Sequence, residues 1–422
     1  MNDYNKSKVA YETGKKYLFE ATPYALPILT RGEGSYVWDM DGNKYLDLNA
    51  GQFCVSLGHA YTPFVELIEE KLRSLYHTNT STLSPDVFEA AEKMAATTKY
   101  ELTKTFFLST GSEANECAIR YARFITKRNG IMCLDQGYHG LTLASQHATM
   151  GGQWALPKSE DTISVMTPDP FHGVNSGILE QAMEDLEKKF QQYGERCAAF
   201  IMEPVIGVGG MFQIPIEYLQ AVRKYCTQYD VIMICDECQS GFGRSGKWYA
   251  YEYSGVTPDI LVTAKAMGMG LAVSAVTFKA AIAEKAEGRL THFSSHQNDP
   301  LSTSVVSFMI DQVHSHNLLN TNLEMGQYLL DTLKEVCEKT ELLIRPRGLG
   351  LMCGFDINDI IVTQYRQFSK KFAFEMQNNG VLIQAIRQGR TFRIMPNYLV
   401  KKEEIDMLAE SLEKTLKNVP IE

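Results

Sequence analysis

No stretch of this chain supplies the roughly 18 uninterrupted apolar residues of a membrane-spanning helix. The first twenty residues are polar and mixed in charge, without the apolar core of a secretory signal. A soluble cytoplasmic protein is the resulting expectation. Basic charge is also short: 41 Lys and Arg against 50 Asp and Glu leave a net charge of −9. Nucleic acid is therefore disfavoured as the main partner, although a local basic patch stays open. No internal repeat or low-complexity tract is visible. No G-x-G-x-x-G follows a strand pattern; Gly348-Leu-Gly350 runs on to Gly354, the wrong spacing for a dinucleotide-binding turn. This counts against a NAD-dependent oxidoreductase. The nine cysteines show no disulfide framework, so reduced thiols are expected. Cys235-Asp-Glu-Cys238 matches C-x-x-C, but no second C-x-x-C completes a zinc site, which leaves the acids between the cysteines as its point of interest.

What is present is an ordinary globular composition, 45% hydrophobic and 22% charged. A length of 422 residues predicts two domains. Residues 1–30 read as a helical or irregular lead-in. Asp41-Gly42 between Tyr36-Val-Trp and Tyr45-Leu predicts a hairpin. Thr62-Pro63 and Ser84-Pro85 each open a helix, the first running to about Tyr76. Strands and helices then alternate: strands at 105–108, 131–134, 198–202, 231–235, 260–262 and 273–278, helices at 112–127 and 216–228. Val231 to Cys235 shows no polar alternation, as expected where both faces are covered. Such alternation predicts an α/β protein with a large, mostly parallel sheet. After Pro300 a long helix leads into a second unit of helix, strand, helix, two short strands and a last helix from Lys402. The expected division is a segment 1–55 that joins a small α+β domain, a large domain 56–310, and the small domain proper, 311–422.

Ligands of open α/β sheets bind outside the carboxyl ends of the strands, and four features of this chain fall there. Leu108-Ser-Thr-Gly111-Ser112 opens a helix whose first N–H groups make an anion cradle, or a plain N-cap. Asp236 follows a buried strand; its carboxylate can pair with a protonated ring nitrogen or cap the next turn, and Gln239 could reach a neighbouring ring oxygen. Tyr138 in Gly137-Tyr-His-Gly140 offers a flat face for stacking, or a core side chain. Lys265, delivered by Ile260-Leu-Val262 to the turn Ala-Met-Gly-Met-Gly270, is an amine able to form a Schiff base, or a surface lysine. A phosphate cradle, an aromatic lid, a carboxylate for a pyridinium and an amine for an aldehyde are together what pyridoxal phosphate requires.

With these residues in place the sequence resembles the class III aminotransferases, pyridoxal-phosphate enzymes of fold type I. The resemblance is carried by Ser109-Thr-Gly-Ser-Glu-Ala-Asn-Glu116, Tyr138-His-Gly140, Glu203-Pro204, Asp236-Glu-Cys-Gln-Ser-Gly-Phe-Gly-Arg-Ser-Gly246, Thr257-Pro-Asp-Ile260, Lys265 and Phe392-Arg-Ile394. It spans residue 30 to the C-terminus. It implies that Lys265 holds the cofactor and later moves the proton at the substrate α-carbon, and that Asp236 keeps the pyridine nitrogen protonated. Gln239 would contact the phenolic oxygen, Tyr138 would stack on the ring, and Gly111 and Ser112 would bind the phosphate. Ser295 matches a hydroxyl residue that reaches the phosphate of the neighbouring subunit, which implies a homodimer with shared active sites.

Two departures bear on the branch of the family. Many members that act on ω-amines carry Glu where this chain has Val208, and pair it with the arginine at the Arg393 position. Val208 cannot pair, so Arg393 is expected to hold a substrate α-carboxylate by a bidentate ion pair, which favours an α-amino acid over an ω-amine. Ala50-Gly-Gln52 to His59 and Ser294-Ser-His-Gln-Asn-Asp-Pro-Leu301 resemble the dialkylglycine decarboxylase branch. There the glutamine at the Gln52 position contacts the carboxylate that is lost, so transamination with coupled decarboxylation is one expectation. Tyr138 departs from that branch, which stacks a tryptophan. The resemblance extends to an alkali-metal ion beside the phosphate loop, with Thr80, Ser295 and Asp299 as oxygen donors at corresponding positions. The expected activity is transfer of an amino group from an α-amino acid to a 2-oxo acid. The alternatives are an amino-acid racemase or epimerase on the same scaffold, and a non-catalytic binding protein, against which the complete Asp236, Lys265 and Arg393 set speaks.

Overall fold

The computed structural model describes residues 5–22, 24, 26–150, 159–171 and 177–420. Near the N-terminus β1 (Leu29–Glu33), β2 (Tyr36–Asp39) and β3 (Lys44–Asp47) form an antiparallel meander. The β2–β3 link is the expected hairpin. Gly42 turns it with φ +88°, a conformation open to a residue without a Cβ. Asp39 locks the turn by accepting from the Asp41 and Asn43 N–H groups at 2.9 and 2.8 Å.

The centre of the molecule is a seven-stranded sheet. Its strands are β4 (Lys104–Leu108), β5 (Gly130–Leu134), β6 (Thr162–Val165), β7 (Cys197–Met202), β10 (Ile232–Asp236), β11 (Ile260–Thr263) and β12 (Ser274–Phe278). A short hairpin of β8 (Val205–Ile206) and β9 (Phe212–Gln213) follows β7. The sheet order is β4-β12-β11-β10-β7-β5-β6, and only β12 runs antiparallel to its neighbours. Every residue of β5, β7, β10, β11 and β12 is buried, which explains apolar runs without alternation. Helices Gly111–Thr126, Ile178–Tyr193 and Ile216–Gln228 cover the sheet. Strand β6 and helix Ile178–Tyr193 have no counterpart in the sequence reading. Thr162-Ile-Ser-Val165 has only two apolar positions, and its pairing with β5 supplies the rest.

Beyond Pro300 the expected long helix and the helix that opens the second unit are Pro300–Ser315 and Leu318–Glu338. Asn317 stands between them at φ +51°, and this left-handed residue ends the first helix and starts the second. β13 (Leu343–Leu349), β14 (Met352–Ile357), β16 (Gln384–Ile386) and β17 (Thr391–Ile394) make a further antiparallel sheet. β15 (Val381–Leu382) instead joins β3 in parallel, Val381 opposite Leu46, so the N-terminal meander and the C-terminal region share one sheet. No helix among the described residues is long and apolar enough to cross a membrane.

Candidate active site

Parallel pairing sets the strand ends level. Asp236 at the end of β10 lies opposite Val262 of β11, and Cys235 lies opposite Met202 of β7. Thr263 pairs with Ala275, and Leu108 with Ser274, which puts the turn after β4 beside the turn that carries Lys265. A cavity of about 970 Å³ opens there. Gly111, Ser112, Tyr138, Asp236, Gln239, Lys265, Gln52 and Arg393 all line it. Of the site residues expected from the sequence, Ser295 alone does not; it is exposed on the 291–299 segment.

Asp236 is buried and heavily hydrogen-bonded. His139 Nδ1 meets its Oδ2 at 2.8 Å, Asn115 Nδ2 donates to the same oxygen at 2.7 Å, and the Cys238 N–H donates to Oδ1 at 3.1 Å. Burial by itself would push the carboxyl up. The His139 hydrogen bond and charge, with Cys238, outweigh it and hold Asp236 below the usual carboxylate range. Glu203, after β7, shows the opposite balance: burial pushes its carboxyl up to about 7 despite the charge of His139 and the N–H groups of Tyr138 and Gly207. Two acids at adjacent strand ends thus differ in their readiness to ionise, because a histidine reaches one with a hydrogen bond and the other only through space.

Lys265 opens a short 3₁₀ turn, Lys265–Gly268, with φ +51°. A non-glycine residue in that region is uncommon and is held by its surroundings. Helix Gly111–Thr126 starts at the cavity with Thr110 as N-cap, whose side chain accepts from the Glu113 N–H at 3.2 Å. The first helical amides, those of Gly111 and Ser112, have no acceptor within the helix. A Cβ on Gly111 would come within 2.9 Å of Cys238 Sγ, and one on Gly140 within 2.3 Å of Ser112 Oγ, so both glycines are required by close approach. Gln239 is buried, with Oε1 lacking a protein partner among the described residues.

Arg393 on β17 is not left without a companion by Val208. Its Nη2 donates to Gln384 Oε1 on the paired strand β16, and its guanidinium lies 4.4 Å from the Phe53 ring centroid. The companion is a neutral amide, so no carboxylate is bonded to the guanidinium there, and Nε has no partner among the described residues. Burial pulls the guanidinium down to about 10, while Glu203 and Tyr138 favour its charged form. Gln52 is exposed at the cavity with φ +63°. Of the oxygen donors expected for an alkali ion, Thr80 Oγ1 donates to the Ser294 carbonyl at 2.8 Å, Ser295 is exposed, and both Asp299 oxygens meet histidine nitrogens.

The sequence reading gave no role to His139, Asn115 or Gln384, and quoted Glu203 only as part of a match. Each acts through a partner on another element, Asn115 and His139 on Asp236 and Gln384 on Arg393. Linear spacing carries no signal for such pairs.

The chain is similar to known proteins over nearly its whole length. The sequence model of the family Aminotransferase class-III matches residues 20–416. Acetylornithine aminotransferase of Archaeoglobus fulgidus is 30% identical over 399 residues, covering 94% of this chain and 98% of that protein. Leucine/methionine racemase of Thermococcus litoralis is 30% identical over 410 residues, covering 94% and 92%. Among solved structures, a thermostable (S)-enantioselective ω-transaminase from Thermomicrobium roseum superposes with a TM-score of 0.91 at 26% identity, over 99% of this chain and 100% of that one.

Proposed function

Because this chain belongs to the class III aminotransferase family, a group of fold type I enzymes that use pyridoxal phosphate, we propose that it transfers the amino group of an α-amino acid to a 2-oxo acid. One observation carries the choice of substrate: the cavity arginine, Arg393, is hydrogen-bonded to the neutral Gln384, and the same cavity is lined by Val208, which has no charge to offer it. A buried guanidinium without a bonded carboxylate favours a substrate that brings its own.

The cavity suits the cofactor on its own geometry. It has an anion cradle at the start of helix Gly111–Thr126, where Gly111 packs too close to Cys238 for a Cβ, a carboxylate held ionised at Asp236, a buried amide oxygen without a partner among the described residues at Gln239, and one amine in its lining, Lys265. When bound, pyridoxal phosphate supplies the electron sink that weakens a bond to the substrate α-carbon. The protein's own part is as follows. Gly111 and Ser112 donate N–H groups to the phosphate, in line with the helix dipole. Asp236, oriented by His139 and Asn115, would balance a protonated ring nitrogen, and Tyr138, in the same lining, would offer its ring for stacking. Lys265 is the anchoring amine and the base that takes and returns the α-proton. Arg393 fixes the α-carboxylate, and with it the orientation of the bonds at that carbon. Gln52 lines the same cavity, and a contact from it to a second carboxylate orientation would favour a decarboxylating branch. Ser295, exposed and apart from its own cavity, suits a role at the phosphate of a second copy, and we propose a homodimer.

The test is a substrate panel on the purified protein, read by amino-group transfer and by the visible absorbance of the bound cofactor. We expect transfer from an α-amino acid to a 2-oxo acid, little from an ω-amine, and loss of the absorbance band in Lys265→Ala with activity down roughly 10²–10⁴-fold. Carbon dioxide and acetone from 2-aminoisobutyrate with pyruvate would move the assignment to decarboxylation, with Gln52 as its residue. Loss of optical rotation without any acceptor would move it to racemisation, the activity named for the Thermococcus litoralis relative. ω-Amines outrunning α-amino acids would refute the role given to Arg393.

A further inference from the structure

We propose that His77, His296 and Asp299, none of which lines the cavity of their own chain, form a site for one divalent transition-metal ion of the zinc type. The proposal does not depend on the reaction assigned to that cavity. Asp299 occupies the N-cap position of helix Pro300–Ser315 and is buried, yet its carboxylate makes no capping bond. An aspartate there ordinarily gives an oxygen to a first-turn amide. Here Oδ1 meets His77 Nδ1 at 2.5 Å and Oδ2 meets His296 Nδ1 at 2.6 Å. One ligand atom from each of the three residues falls within 4.8 Å of the others. The arrangement is tertiary, since His77 and Asp299 are 222 residues apart.

The donor set selects the ion. Two imidazole nitrogens and one carboxylate oxygen suit zinc, cobalt or nickel, whereas potassium and magnesium prefer oxygen alone. With bonds of about 2.0–2.2 Å, ligands of one tetrahedral ion lie roughly 3.4 Å apart. The two short nitrogen–oxygen contacts must open by roughly an ångström to admit an ion. The rings can make that adjustment: their side chains are 42% and 64% exposed, against 10% for Asp299, which acts as the fixed point. Each ring then coordinates through a bare Nδ1 and carries its hydrogen on Nε2. His292 and His296 share the i, i+4 spacing of a helical metal pair, but His292 Nδ1 faces Cys117 Sγ at 3.6 Å and its ring packs on Phe106. His77 takes its place. The ion would pin the segment after helix Thr62–Arg73 to the segment 291–299, where Leu301 N–H to Tyr76 carbonyl and Thr80 to Ser294 already join the two. Three protein ligands leave a position for water.

The experiment uses the full chain with its cofactor, stripped by a chelator and titrated with zinc chloride, then separately with cobalt chloride, in potassium chloride buffer. We expect one ion per chain, a higher Tm with zinc, and a visible cobalt spectrum of low coordination number. His77→Gln and His296→Gln should each weaken binding by more than the roughly 10–100-fold that loss of an outer partner costs. Zinc X-ray absorption on the unmutated chain keeps the proposal open to refutation if a variant fails to fold: two imidazoles and no sulfur support it. No bound ion, sulfur in the first shell, undiminished binding by the double variant, or a Tm rise with potassium that zinc does not exceed would each overturn it.

Discussion

Arg393 is one hydrogen bond from losing its function or keeping it. Lysine at this position would retain a charge, but it lacks the planar fork that serves Gln384 and a carboxylate together. Arg393→Lys is expected to lower kcat/KM for α-amino acids by roughly 10- to 100-fold, the equivalent of 1.5–3 kcal/mol for a charge-assisted hydrogen bond. Turnover of a substrate without that carboxylate should be little changed. Steady-state kinetics on the two substrate types reads the difference.

Glu237 tests another residue-scale balance. Burial pushes its carboxyl up to about 7, against hydrogen bonds from Ser240 and the backbone of Ala250 and Tyr251. A carboxyl whose folded pKa lies above its unfolded value binds more protons when folded, so its ionisation costs stability as pH rises from about 4.5 to about 7. Above that window the cost is complete. Glu237→Gln removes the titration, and Ser240 can turn its hydroxyl to accept from the amide. The variant should therefore gain about 1–3 kcal/mol over the native chain at pH 8.5 relative to pH 5, read as urea midpoints at the two values.

At the scale of elements, helix Leu318–Glu338 meets the turn between β13 and β14 without a side chain between them. A Cβ on Gly326 would lie 2.2 Å from the Gly350 carbonyl atoms. Helix propensity favours alanine over glycine by about 1 kcal/mol, but backbone cannot yield as a side chain can. Contact wins, and Gly326→Ala is expected to cost about 1–3 kcal/mol, measured by thermal unfolding. The elements themselves were largely legible in the sequence. Burial on both faces left β10 and β11 as unbroken apolar runs, and Thr62-Pro63 and Ser84-Pro85 marked helix starts. The position of the break between the two helices after Pro300 was not, because Asn317 marks it only through a left-handed backbone, φ +51°. Nor was β6, whose short sequence gains its identity from β5 beside it.

For the whole molecule the exposed apolar residues matter. Leu72, Leu75 and Tyr76 are more than half exposed, and Phe293 is 69% exposed on the segment that carries Ser295. Tyr76 and Leu301 join these segments by a backbone hydrogen bond, so the residues belong to one region of the surface. An apolar region of this kind beside a hydroxyl without a role in its own cavity supports the proposed homodimer. Ser295→Ala should weaken cofactor binding by roughly 2- to 10-fold, the worth of one neutral hydrogen bond, without altering the native mass in light scattering. A chain that stays monomeric and binds the cofactor fully would refute shared sites.

The sequence by itself determined the α/β alternation, the sheet of mostly parallel strands and the family, because buried strands, glycine turns and a lysine after a strand are local choices of residue. It also named eight of the residues that line the cavity, six of them at or just after strand ends. Only the tertiary structure decided how those residues are tuned. Asp236 stays ionised because His139 and Asn115 arrive from two other elements, Glu203 is raised to about 7 because burial outweighs the N–H groups of Tyr138 and Gly207, and Arg393 lacks a bonded carboxylate because its partner on the adjoining strand, Gln384, is neutral. Burial and hydrogen bonding between distant segments set these states, and neither is written in the spacing of residues along the chain.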